Sequence, residues 1–427
     1  MLLCCHVNRV YLPEGVSRLG DTLAIRPGPA RTAVIIGRSI AVACTILVTA
    51  VVAELAVRTV MPVPEGQLLP LPYNADRVRQ IATGDVYLGF DRDLGWTLTP
   101  DRVRRADGAV YRINSQSLRA DREYDLQPTP DVTRVAAFGD SFTHCSEVTQ
   151  DACWVAQLEQ HWRSTEVLNF GVPGYGPDQA WLRYQRDGQQ FQPCGVLIGY
   201  FIGDIERVVN RFRPFIQAGD AVVMSKPRYL LDGAGLTLLP NPTNDPMELA
   251  DPTWVEATLG PNDAWYYPGV FVPQPFDGSM LVRMARTAAY QQARADLVRT
   301  GLEYKLYGRD QEAFRVTLRV LLGFADQVRA NGAMPAIVVL PGRTDIEASQ
   351  HGIRPHDRLV SRIHDAGEPV IDLTNALTTA ARDRGIDALF ADSHYSPLGN
   401  QIVAQELALA LPELLAPTCE LTAAPHG

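Results

Sequence analysis

The stretch "RVAAFGDSFTHC", Arg134–Cys145, decides how this chain is read. Val135 to Phe138 form a short, unbroken apolar run, the pattern of a strand buried on both faces. The run stops at Gly139, and an acid and a hydroxyl, Asp140 and Ser141, follow at once. A helical pattern, "ACWVAQLEQHW", comes next. A serine in that place is either the cap of the following helix or a nucleophile presented at the end of a strand.

The rest of the chain repeats the alternation. "TEVLNFGV" reads as a second strand, "PDQAWLRYQRDGQQF" as a helix and "CGVLIGYF" as a third buried run. "FRVTLRVLLGFADQVRANG" is an amphipathic helix ending at a glycine stop signal, "MPAIVVLPG" and "EPVIDLT" are two more strands, and "GNQIVAQELALALPELL" is a closing helix. Buried strands alternating with helices predict an α/β fold, a mostly parallel sheet covered on both faces. In such sheets ligands bind outside the carboxyl ends of the strands. Ser141, Gly174 and Asp204 all lie just past predicted strand ends, hence on one rim. An insertion at about 208–308 interrupts the alternation. It contains a hairpin around Asp232-Gly233 and the aromatic segment "NDAWYYPGVFVPQPF". Its rings, Trp265 and Tyr266 among them, either stack on sugar faces or pack the insertion onto the core.

With 427 residues, 46% hydrophobic and 20% charged, the chain can build a sizeable core. A formal charge of -9 argues against a nucleic-acid partner. "SIAVACTILVTAVVAELAV", Ser39–Val57, has about the length that spans a bilayer. Arg26, Arg31 and Arg38 precede it, so the positive-inside rule predicts a cytoplasmic N-terminus and an exported remainder. A signal peptide cleaved after "VVA" is the rival reading. The expected organisation is a cytoplasmic tail (1–32), a transmembrane signal anchor (33–60), a linker and N-terminal collar (61–132), the α/β domain (133–415) and a C-terminal tail (416–427). Of seven cysteines, Cys145, Cys153, Cys194 and Cys419 fall on the exported side, and Cys145 with Cys153 is the best candidate disulfide.

A serine nucleophile needs a base, an orienter for that base, and donors for the oxyanion. "FADSHYSPLGNQIVAQ" places Asp392 and His394 just before the last helix. In an extended loop residues two apart project to the same side, so His394 is the candidate base and Asp392 its acid. The backbone N–H of Ser141, at a helix N-terminus, and that of Gly174, in "NFGVPGYGPD", are the candidate oxyanion donors.

"FGDSF", "NFGVPGYG" and "DSHYSPLGN" together resemble blocks of the GDSL-type, or SGNH, hydrolase superfamily, in its membrane-anchored bacterial form. The resemblance covers about 133–415. It implies a flavodoxin-like three-layer α/β/α fold with a mostly parallel five-stranded sheet, with Ser141 as nucleophile, His394 as base, Asp392 as acid and Gly174 as oxyanion glycine. The family's third donor, an asparagine side chain, falls here on Gly203 or Asp204. Glycine has no side-chain donor, and an ionised aspartate would repel an oxyanion. Asn210, six residues beyond Asp204, could fold back to replace it. Arg207 and Arg211 could bind an anionic substrate or form surface salt bridges.

These expectations define a serine esterase on the extracytoplasmic, periplasmic side of an inner membrane. Its substrate would be an O-acetylated cell-envelope or exported polysaccharide, with deacetylation or acetyl transfer as the reaction. A non-catalytic carbohydrate-binding or assembly protein is the alternative. No cofactor is implied, and no spacing of His, Cys and carboxylates reads as a metal site.

Overall fold

The computed structural model describes residues 29–60, 66–233, 235–297 and 305–421. Most of the expected N-terminal tail, with Cys4 and Cys5, lies outside the described residues, as does the end of the C-terminal tail. Contacts divide the chain into two units, with the boundary between Pro62 and Val63. The first contains one helix, α1 (Pro29–Val60). Its stretch Ile36–Val60 is long and apolar enough to cross a membrane, and none of it is buried.

In the second unit a five-stranded sheet is formed by β1 (Thr133–Phe138), β2 (Thr165–Asn169), β3 (Gly195–Phe201), β4 (Met334–Leu340) and β5 (Val370–Asp372). Its order is β2-β1-β3-β4-β5 and every pairing is parallel. This is the flavodoxin-like arrangement, whose strand order reverses beside β1 and opens a crevice there. The unbroken apolar runs follow from burial on both sides. Val135 and Ala137 of β1 join one core cluster, and Ala136 and Phe138 join the other. The same split recurs in β4, where Ala336, Val338 and Leu340 face one cluster and Ile337 and Val339 the other.

The helices include the crossovers α2 (Ser141–His144), α3 (Trp154–His161), α4 (Pro177–Arg183) and α5 (Glu312–Ala330), and α6 (Pro397–Leu415) after the last strand. α5 ends where expected, at Asn331 and a left-handed Gly332. The insertion hairpin pairs Arg228–Asp232 with Gly235–Leu239 around the expected turn. Before β1, Leu88–Asp91 pairs with Gly95–Leu98, and Val103–Ala106 with Ala109–Arg112. Collar residues Trp96, Leu98, Ile113 and Leu118 and insertion residues Phe212, Phe215, Leu249 and Phe271 share one core cluster with the sheet. Two disulfides are present, Cys145–Cys153 and Cys194–Cys419.

Candidate active site

β1 delivers Gly139 and Asp140 to the crevice, and α2 begins at Ser141. The helix cap is Asp140, whose Oδ1 accepts the Phe142 N–H at 2.9 Å, so the Ser141 hydroxyl is not used in capping. The loop after β2 packs directly under this helix. A Cβ on Gly171 would stand 2.3 Å from the His144 backbone nitrogen, so only glycine allows that approach. Three residues later Gly174 turns the chain with φ +84°.

The loop before α6 brings His394 to Ser141. Its Nε2 lies 2.8 Å from Ser141 Oγ. Its Nδ1 lies 2.7 Å from Glu147 Oε1, not against Asp392. The expected acid is therefore corrected. Asp392–His394 is a tight turn, closed by the Ala391 N–H donating to the His394 carbonyl, rather than an extended segment. The turn points three consecutive amides inward, and those of Asp392, Ser393 and His394 donate to Glu147 Oε2 at 2.9, 3.0 and 3.0 Å. Such a run of amides is an anion-binding nest. Asp392 is left solvent-exposed.

Glu147, the carboxylate against His394 Nδ1, is a residue that the spacing arguments pass over. It sits six residues after Ser141, in the loop between Cys145 and Cys153, with φ +70°. The Tyr111 hydroxyl accepts its N–H at 2.7 Å. Arg119 braces the same loop from the collar, donating to the carbonyls of His144, Cys145 and Val148. Burial pushes the Glu147 carboxyl up. Hydrogen bonds from His394 and Ser393 outweigh this and hold it well below the usual carboxylate range. The available signal was the disulfide itself, which ties a short loop with two acids, Glu147 and Asp151, back beside the serine.

His144 lies outside this chain of contacts. It is buried, its Nε2 lies 2.6 Å from the Tyr87 hydroxyl, and burial with the nearby Arg119 charge pushes it well below the usual histidine range.

On the other side of Ser141, Arg207 Nη1 donates to Asp140 Oδ2 at 3.0 Å and to the Tyr175 carbonyl at 2.7 Å, and also contacts Asp204. Arg207 is thus committed to an internal bridge between the β1 and β3 strand ends. Asp204 is buried, and burial pushes its carboxyl well above the usual range against the pull of Arg207.

Asn210 is not an oxyanion donor in this geometry. It is fully buried, and its Nδ2 donates to the Phe212 carbonyl at 2.8 Å and to Asp263 Oδ2 at 2.9 Å. Asp263 lies 53 residues away in the insertion and draws the amide inward. Asn210→Ala is therefore expected to lower the unfolding free energy by about 1–3 kcal/mol, measured in urea, while leaving turnover per folded molecule within about twofold.

The other binding candidates are also structural. Arg211 is buried and donates to the Pro240 carbonyl. Trp265 is buried and donates to the Glu206 carbonyl at 2.9 Å, and the Tyr266 hydroxyl donates to Glu256. Trp265 packs the insertion onto the core, Tyr266 is half-buried, and Phe276 at the end of the same segment is 82% exposed. His356 and its neighbour Asp357 meet Asp372, but Arg354 already bonds both carboxylates, at 2.7 and 2.6 Å.

No family model and no curated protein matches this chain. Solved structures do. A lipolytic protein of the G-D-S-L family from Desulfitobacterium hafniense is 14% identical, covering 65% of this chain and 98% of its own, with a TM-score of 0.31. A G-D-S-L family member from Veillonella parvula is 11% identical, covering 66% and 100%, with a TM-score of 0.35. A catalytic mutant of an acetylxylan esterase from Geobacillus stearothermophilus is 12% identical, covering 67% and 96%, with a TM-score of 0.35.

Proposed function

We propose that the protein is a serine ester hydrolase of the SGNH type, acting through Ser141, His394 and Glu147. One observation carries this reading: a continuous chain of short contacts, Ser141 Oγ to His394 Nε2 at 2.8 Å and His394 Nδ1 to Glu147 Oε1 at 2.7 Å. With Nδ1–H donating to the carboxylate, Nε2 is free to accept the serine proton. As Oγ attacks the acyl carbon, His394 takes that proton and Glu147 stabilises the imidazolium. The amides of Ser141 and Gly174 enter none of the backbone hydrogen bonds of the described residues, which suits both to an oxyanion. His394 then protonates the departing alcohol. Water, deprotonated by the same ring, or a second sugar hydroxyl releases the acyl group.

The helix Ile36–Val60 and the paired cysteines support a single-pass anchor with this unit in an oxidising, extracytoplasmic compartment. An O-acetylated cell-envelope or exported polysaccharide is the proposed substrate class, resting on the resemblance of the three sequence blocks to anchored members of the superfamily. Mass spectrometry after fluorophosphonate treatment tests the reaction type. One adduct on Ser141 in the folded protein is expected, and an unlabelled Ser141 sinks the hydrolase reading.

A further inference from the structure

A cavity of about 460 Å³ opens between the collar and residues 221–224. Arg77, Arg102 and Arg104 line it, against one carboxylate, Asp85, and Tyr87 and Val222 complete the wall facing the site. Three contacts connect it to the triad's surroundings. The Tyr87 hydroxyl meets His144, on the same short helix as Ser141. Arg104 stacks over Tyr87 at 5.4 Å and over Tyr111 at 5.9 Å, and Tyr111 holds the Glu147 amide. Val222 Cγ2 lies 3.6 Å from where a Cβ on Gly174 would stand. Lining residues therefore touch the helix of Ser141 through Tyr87, the loop of Glu147 through Arg104 and Tyr111, and the Gly174 turn through Val222.

The charge of this lining runs against that of the whole chain, whose formal charge is -9. Only Arg102 is paired with Asp85. Arg77 donates to neutral groups, the Ala221 carbonyl and the Gln80 side chain. Arg104 rests on aromatic faces, an arrangement that fixes a guanidinium plane without neutralising it. A planar guanidinium suits a carboxylate, and a tyrosine edge suits the ring that carries one.

We propose that this cavity is a subsite for a carboxylate-bearing sugar residue, with Arg77 and Arg104 receiving the carboxylate while a neighbouring acyl ester reaches Ser141. The proposal rests on the esterase reading and narrows its substrate to anionic glycans. It is tested by kcat/KM on acetylated oligouronates and on acetylated neutral oligosaccharides, with an aryl acetate as reference. The full chain is expected to favour the uronate by about 10-fold or more at low salt, and the preference is expected to fall in high salt. Arg77→Gln with Arg104→Gln is expected to lower the uronate-to-neutral ratio by about 10-fold, through KM. Equal rates on the two glycans, or an unchanged ratio in the double variant, overturns the proposal. Failure to turn over even the aryl acetate would instead remove the esterase reading. The cavity is then tested by calorimetric binding of the oligouronate, which the double variant must weaken by a similar factor for the proposal to stand.

Discussion

Glu147→Gln is expected to slow turnover of an aryl acetate about 10⁴-fold, and Asp392→Asn to leave it within about twofold. The contrast follows from which carboxylate faces His394 Nδ1. A glutamine in place of Glu147 offers no charge to the imidazolium and can present its NH₂ to the ring, favouring the wrong tautomer. Asp392 contributes its backbone amide, which asparagine keeps. Steady-state kinetics on the two variants decides the matter, and equal losses would return the acid role to Asp392. The same carboxylate carries a pH signature. Its folded pKa is depressed, so its stabilisation is complete above the unfolded value of about 4.3 and is lost as pH falls through the folded one. Urea unfolding should show the gap between wild type and Glu147→Gln at full size above about pH 5 and shrinking below it. A gap that ignores pH would mean that the charge contributes nothing.

Ser141→Ala and His394→Ala are each expected to cost about 10⁶-fold in kcat, and the double variant little more. The two residues act as one unit: without the base the hydroxyl stays protonated, and without the hydroxyl the base has nothing to activate. Residual rates should exceed the uncatalysed reaction, because the amides of Ser141 and Gly174 remain to receive the oxyanion. The checks are kcat for all three variants and fluorophosphonate labelling of His394→Ala. If the two single losses multiply in the double variant, the serine and histidine work independently and the proposed mechanism is wrong.

The sheet was legible because its strands are buried on both faces, so Val135–Phe138, Val196–Tyr200 and Ala336–Leu340 read as unbroken apolar runs. Ser141 and His394 were legible as strand-end and pre-helix positions. Glu147 was not, because its role depends on a turn 245 to 247 residues further along the chain that wraps its carboxylate. A two-residue spacing argument holds only for extended backbone, and Asp392–His394 is bent. Asn210 was misread for a similar reason. Its partner Asp263 belongs to the insertion, and no local pattern announces that pairing. In the aromatic segment around Trp265, burial places Trp265 and Phe271 in the core while Phe276 stays exposed.

The nest around Glu147 also bears on how damage to this site would look. In the proposed mechanism one carboxylate both anchors the loop that carries His394 and supplies the charge that His394 needs. Docking of the loop and completion of the catalytic electrostatics are therefore a single equilibrium. On the proposed mechanism, a molecule whose loop is undocked lacks a working base. Substitutions in the loop away from the ring, at Ala391 or Ser393, should then change the fraction of molecules that turn over while each active molecule keeps its normal rate. Active-site titration, rather than bulk velocity, would reveal that difference.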